Sequence, residues 1–214
     1  MQADGLTPDL LLRAYASGVF PMSEARDDHG VFWVEPRMRG VIPLNGFHVS
    51  RSLRRRILSG RFDVTVDTAF RDVVRACAAR EETWINHRIE GLYLRLHRMG
   101  RAHSVEAWRE GRLVGGIYGV ALGGAFFGES MFSREADASK VTLCYLVDRV
   151  RCAGFTLFDT QFITDHLASL GAVEITRDNY HDCLAEALRI RADFKMPGPL
   201  PSPQALMQRM THTS

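Results

Sequence analysis

Residues 103–132 read HSVEAWREGRLVGGIYGVALGGAFFGESMF, and within them three strand-forming runs follow one another with almost nothing in between. Ser104 to Trp108 is parted from Leu113 to Val120 by Glu110-Gly111, and that run from Ala125 to Phe132 by Gly123-Gly124. Turn residues at such short intervals fold a chain back on itself, so the stretch is an antiparallel meander. Downstream, Asp137 caps a mostly apolar helix to about Ala153, Gly154 stops it, and Phe155 to Asp159 makes a short apolar strand. A short helix over Ile163 to Leu170 closes at Gly171, and a last helix runs from about Arg177 to Arg189. Strands and helices in this arrangement predict an α+β fold.

Upstream, Thr7-Pro8-Asp9 is a helix start, with a hydroxyl able to cap and a proline where no N–H is needed. That helix runs to about Gly18. Short strands are expected at Val31 to Val34 and Gly40 to Pro43, then a Ser50-capped helix over 51–59, an alternating strand over Phe62 to Val66, and an Asp67-capped helix to about Ala79. Asn86 opens a helix that carries Ile89, Leu92, Tyr93 and Leu96 on one face and ends near Gly100. The texture changes there. We expect a small N-terminal α+β domain over residues 1–100, a second domain of mixed sheet and helices over 101–195, and a cleft between two lobes. Residues 196–214, with Pro197, Pro199, Pro201 and Pro203, form a tail too rich in proline to continue a helix, mobile or flat on the surface.

Composition narrows the class. The chain has 214 residues, 46% hydrophobic and 24% charged, with a mean hydropathy of −0.12, which argues against both a disordered chain and a membrane protein. No apolar run approaches the roughly 20 residues that span a bilayer, and Met1-Gln2-Ala3-Asp4-Gly5 lacks the basic-then-apolar order of a signal peptide. The expected compartment is cytoplasmic. Cys77, Cys144, Cys152 and Cys183 are scattered and read as small buried hydrophobes, so neither a zinc site nor a disulfide framework is expected. Net charge is only +2, yet residues 37–80 hold ten arginines against Asp63, Asp67 and Asp72, a local balance of +7. Such asymmetry suggests a polyanionic partner.

Four groups of residues could carry chemistry. Glu129, in the middle of an apolar strand, faces solvent or a cavity or has a partner, because burying it unpaired is costly. A serine nucleophile at Ser130 fails, since Phe132 stands where the nucleophile elbow needs glycine. Asp159 and Gln161, two apart at a strand end, would present a carboxylate and an amide side by side, unless Asp159 caps the next helix. Arg51, Arg54, Arg55 and Arg56 form a helical stripe with no acidic residue between positions 37 and 62 to balance it. The stripe is either a solvated face or a grip for phosphates, and Arg71, Arg75 and Arg80 could continue it along a nucleic-acid backbone. Trp33, Trp84 and Tyr93 could stack on a base or belong to the core. His97, His103 and His166 lack metal-ligand spacing and read as structural.

Taken together, these segments resemble the bacterial leucyl/phenylalanyl-tRNA:protein transferase family. The resemblance rests, in order, on Gly18-Val19-Phe20-Pro21-Met22, Glu82-Thr83-Trp84-Ile85, His103 to Glu110, Leu113 to Val120, Gly128 to Arg134, Ala138-Ser139-Lys140, Asp159-Thr160-Gln161 and His166 to Ala172. It implies an enzyme that moves leucine, phenylalanine or methionine from its tRNA to an N-terminal arginine or lysine of an acceptor protein, marking that protein for degradation. It also implies a C-terminal domain similar to the GNAT acyltransferases; a monomer is expected, and with the substrate ester already activated no metal or cofactor is expected. The family's catalytic aspartate and glutamine match Asp159 and Gln161, and its buried glutamate matches Glu129. Its pocket for the transferred side chain falls on Ile117, Phe126, Met131, Leu146 and Phe158, with Trp84 nearby, and its tRNA-binding helix on Arg51 and Arg55. A third basic position is Leu58 here, so the grip is shared with Arg54 or Arg56; a tryptophan often found after the Phe-Pro pair is Met22.

The ester of an aminoacyl-tRNA is already activated, so the enzyme has mainly to align an amine with a carbonyl and manage one proton. In this reading Gln161 beside Asp159 takes part in a relay that draws the proton from the attacking amine, with Asp159 as anchor or ultimate base, and Glu129 orients the aminoacyl amino group or the terminal ribose. Strict alternation puts Phe126 and Glu129 on opposite faces of their strand, so lining one site together would require a bulge near Gly128. The alternative is an acetyl-CoA-dependent N-acetyltransferase, against which the chain lacks a pyrophosphate-binding loop opening onto a helix. A non-enzymatic RNA-binding module would account for the arginines but not for the polar pair at 159 and 161.

Overall fold

The computed structural model describes residues 5–211. Its elements are α1 (Pro8–Ala16), β1 (Phe20–Met22), β2 (Phe32–Val34), β3 (Met38–Val41), α2 (Arg51–Leu58), β4 (Asp63–Val66), α3 (Phe70–Ala78) and α4 (His87–Arg98). They continue with β5 (Ala102–Arg109), β6 (Arg112–Leu122), β7 (Ala125–Ser133), α5 (Ala138–Cys152), β8 (Leu157–Gln161), α6 (Asp165–Ala168), β9 (Val173–Thr176), α7 (Arg177–Leu188) and α8 (Pro203–Thr211). The meander is β5-β6-β7, as its turns predict. It forms the middle of a seven-stranded sheet of order β4-β5-β6-β7-β8-β3-β9, in which only β7 and β8 run parallel; β1 and β2 make a separate two-stranded ribbon.

Strand alternation sends side chains to two cores. Val105, Ile117, Phe126 and Phe158 face one side with the apolar residues of α2, α5 and α8; Ala102, Tyr118, Phe127 and Leu157 face the other with those of α1, α3, α4 and α7. The mixed α+β class is therefore as the sequence predicts, but the sheet does not stop at residue 100. Strands β3 and β4 come from the first hundred residues, and β3 lies between β8 and β9. Their backbones pair with the main-chain groups of β8, β9 and β5, which a separate N-terminal lobe would leave unpaired. Among the described residues no helix is long and apolar enough to cross a membrane.

Three expected caps are in place: Thr7, Ser50 and Asn86 accept from the amides of Leu10, Leu53 and Ile89 at 3.1, 3.2 and 2.9 Å. Two are not. Asp67 and Asp137 have φ of 57° and 71° and make no capping bond. Asp67 instead ties the end of β4 to β5, accepting from the Ser104 amide at 2.9 Å beside His103 Nδ1 at 2.7 Å, while Asp137 accepts from Arg56 Nε at 3.1 Å. In both places a neighbouring element supplies the partner in place of the helix end. The proline-rich tail is a further correction. Ser202 accepts from the Ala205 amide and Pro203 starts α8, whose Leu206, Met207 and Met210 are buried against α2 and α5. Proline bars a helix interior but suits its first turn; residues 212–214 lie outside the described residues. Cys77 and Cys144 are buried as expected, whereas Cys152 and Cys183 are exposed.

Candidate active site

The parallel pairing of β7 with β8 lasts for three positions, Ala125 with Leu157, Phe126 with Phe158 and Phe127 with Asp159, and then ends. Its end has local causes on both strands. On β7, Gly128 lets the strands approach closely, since a Cβ there would lie 2.8 Å from the Phe158 ring. Next comes a bulge: Gly119 pairs with Gly128 and Tyr118 with Ser130, leaving Glu129 as the extra residue. On β8, Gln161 has φ 57°, a left-handed conformation that a side chain with a Cβ rarely adopts. The strands part, and Glu129 and Gln161 face one another across the gap, Gln161 Nε2 donating to Glu129 Oε1 at 3.2 Å.

Asp159 holds this arrangement from beneath. Its Oδ1 accepts from Arg39 Nε at 2.9 Å and from the Gln161 amide at 2.8 Å; its Oδ2 accepts from Arg39 Nη2 and Tyr180 Oη, each at 2.7 Å. A carboxylate has about four acceptor positions, and all are used. Asp159 is fully buried and Arg39 is 1% exposed, so the bidentate pair is a charge compensated in place. Burial opposes the charge on Arg39, but Asp159 more than offsets it and the guanidinium is held above its ordinary value. The bond from the Gln161 amide explains how a non-glycine residue is kept at positive φ.

Glu129 is compensated differently. Tyr15 Oη and Tyr93 Oη each donate to it at 2.6 Å, and the two phenol oxygens are 2.8 Å apart. Among the described residues no cation pairs with it. Burial is the largest influence and pushes its carboxyl up to about 7, with Asp159 adding to the rise, while the phenol hydrogen bonds and the nearby Arg39 pull the other way.

Glu129 and Gln161 open onto a cavity of about 490 Å³ whose remaining wall comes from Phe20, Met22, Arg80, Trp84, Ser130, Met131, Thr160, Phe162, Thr164, His166 and Leu167. This size suits a small-molecule or side-chain site, and a mostly apolar wall with a few polar groups is what such sites show. Both sides of residue 100 contribute to it. Arg80 also reaches across to the Met131 carbonyl.

With this geometry in hand, comparison with known proteins is decisive. The family model for leucyl/phenylalanyl-tRNA protein transferase matches residues 41–185, and that for its N-terminal domain matches residues 4–37. The chain belongs to this family. Curated leucyl/phenylalanyl-tRNA–protein transferases from Cereibacter sphaeroides and Ruegeria sp. are each 59% identical, the first covering 100% of both chains and the second 98% of this chain and 99% of its own. The solved structure of FemX is similar over 78% of this chain and 66% of its own, with 12% identity and a TM-score of 0.49.

In this transferase the expected site residues separate into two groups. Trp84, Met131, Glu129 and Gln161 line the cavity. Ile117, Phe126, Leu146 and Phe158 do not: each is at most 3% exposed and belongs to the core on the α5 side, with Phe126 and Phe158 packed ring to ring at 5.4 Å. The bulge falls at Glu129, past Phe126, and so leaves Phe126 on the opposite face. Met131 is the link, lining the cavity while packing against that core. Asp159 supports the site without facing it, and it caps no helix. Trp84 packs edge-on against Tyr93 at 6.4 Å, Tyr93 is buried, and Trp33 is surface-exposed on β2.

The basic stretch also divides. Arg51, Arg54 and Arg55 are exposed on α2, line a shallow surface groove with Leu58, and have no acidic partner among the described residues. The stripe does not continue through Arg71 and Arg75, because α2 and α3 pack on opposite faces of the sheet, and Arg75 pairs with Glu90. Sequence reasoning missed Arg39, Tyr180 and Tyr15. Arg39 stood beside an expected strand at Gly40 to Pro43, where strand alternation gave a signal for an inward position, but it was counted with the basic surface.

Proposed function

We propose that the cavity receives the leucyl, phenylalanyl or methionyl side chain carried on the 3′ end of a tRNA, and that the bound ester acylates the α-amino group of an N-terminal arginine or lysine of an acceptor protein. The observation that carries this reading is the parting of β7 and β8, which sets a carboxyl and an amide side by side at the mouth of an apolar hollow. Attack of the amine forms the amide bond, breaks the bond between the carbonyl carbon and the ribose oxygen, and moves one proton from nitrogen to that oxygen. Gln161 donates through Nε2 to Glu129, which leaves the amide oxygen of Gln161, without a hydrogen-bond partner among the described residues, to accept an N–H of the reacting amine. Glu129 orients the aminoacyl amino group or terminal ribose. Asp159, whose acceptor positions are filled, is a positioning residue that fixes Gln161 rather than a base.

The route for tRNA follows the exposed arginines of α2, which favour a phosphate backbone without reading bases. The loop that delivers α2 is fastened to the turn that follows α6: the His48 amide donates to the Leu170 carbonyl at 2.9 Å, and Gly171, at φ 92°, lies so close to Gly46 that a Cβ would come within 2.5 Å of its carbonyl oxygen. One chain supplies every group the reading requires, which supports a monomer, and a tRNA donor is a cytoplasmic substrate. Incubating the protein with labelled Phe-tRNA and a peptide beginning with arginine is expected to label the peptide. No label, or acetylation of the peptide from acetyl-CoA instead, would overturn the reading.

A further inference from the structure

The proposed reaction leaves one task unassigned: some group must take a proton from the attacking nitrogen and return it to the departing ribose oxygen. Few groups at the cavity can. All four acceptor positions of Asp159 are occupied, the Gln161 amide is not a base, and the Arg80 guanidinium carries only donors. Thr164 accepts from the Leu167 amide and Thr160 donates to the Phe162 carbonyl, and neither hydroxyl ionises near neutrality. Glu129 already accepts three hydrogen bonds.

His166 is different. It lies on α6, lines the same cavity, and its Nε2 is buried without a hydrogen-bond partner among the described residues. An unpaired buried nitrogen costs free energy in the empty site and is available to a substrate. We infer that His166 touches the bound ester and shuttles the proton, its neutral imidazole accepting from the attacking amine and then donating to the ribose oxygen as the ester bond breaks. The surroundings keep the ring neutral: burial pulls its pKa down from the ordinary histidine value, and Lys140 on α5 pulls it further. The other charged groups at the cavity are Arg80 and Glu129 on β7. A proton carrier works best when its pKa is near the working pH, because it must both accept and release.

This inference rests on the transferase reading above, and one experiment separates their failures. Single-turnover transfer from Phe-tRNA to an arginine peptide would be measured for wild type, His166→Ala and His166→Gln, alongside equilibrium affinity for Phe-tRNA and rescue by added imidazole. The expected result is a rate loss on the order of 100-fold in both variants, affinity within about twofold, and partial recovery of His166→Ala by imidazole. A merely structural histidine would give no rescue. Variants at wild-type rate, or a rate loss matched by lost affinity and not rescued, would overturn the shuttle while leaving the transferase reading intact. An inactive wild type would overturn both.

Discussion

Two buried carboxylates lie within one hydrogen-bonded chain of each other, and the molecule treats them in opposite ways. Asp159 meets a guanidinium squarely, with a phenol and a backbone amide filling what remains. Glu129 meets two phenols and an amide, but no positive charge. The first is a fastener, bound to its counterion; the second sits near the point where it gains or loses a proton. Burial alone does not decide what a carboxylate does, and the charge of its nearest donor does.

The comparison breaks most readily at Arg39. Arg39→Met leaves Asp159 buried without its counterion and is expected to cost about 3–5 kcal/mol, read as a lower urea midpoint, with transfer abolished because Gln161 loses its anchor. A loss below about 1 kcal/mol would mean that Asp159 is not held as an ion pair.

Glu129 is expected to show its character in the pH dependence of stability. Its folded pKa is raised from 4.5 to about 7, so the folded state binds the proton more tightly than the unfolded state. The contribution is full below about pH 4.5 and declines as pH rises towards 7, by on the order of 3 kcal/mol. Urea titrations between pH 5 and 8 should show wild type losing stability relative to Glu129→Gln as pH rises; parallel curves would contradict the assignment.

Smaller again is Tyr93→Phe, which removes one phenol hydrogen bond at a cost of about 1–3 kcal/mol. That bond pulls the Glu129 pKa down, so the variant should also move the stability change to higher pH. A change to lower pH would reverse the assignment of donor and acceptor. The smallest effect on folding belongs far from both carboxylates. Neutralising Arg51 and Arg55 together should alter stability by less than about 0.5 kcal/mol, yet reduce the slope of log tRNA affinity against log salt by about 2. An unchanged slope would remove α2 from the RNA path.

The sequence made the meander, the α5 helix and most helix starts legible because these depend on neighbours within a few residues. Asp159, Gln161 and Glu129 stood out as polar residues in apolar strands. Their division of labour did not, because it depends on partners far along the chain: Arg39 for Asp159, and Tyr15 with Tyr93 for Glu129. Residues carried over by resemblance fared unevenly as wall residues for the same reason. Whether Phe126 or Met131 meets the cavity is set by where the bulge falls, and an unbroken alternating pattern gives no sign of that. Helix α8 was hidden by a prejudice about proline that holds only for helix interiors.

The place of β3 bears on how the protein is made. The arginine that binds Asp159 leaves the ribosome early, yet it waits 120 positions for its carboxylate, and β3 cannot settle until the strands on both its sides, β8 and β9, have been synthesised. Pairings of such long range form slowly. The chemistry therefore arrives with the final stage of folding, and a nascent chain halted before residue 157 would carry the arginine helix exposed with no active centre beneath it.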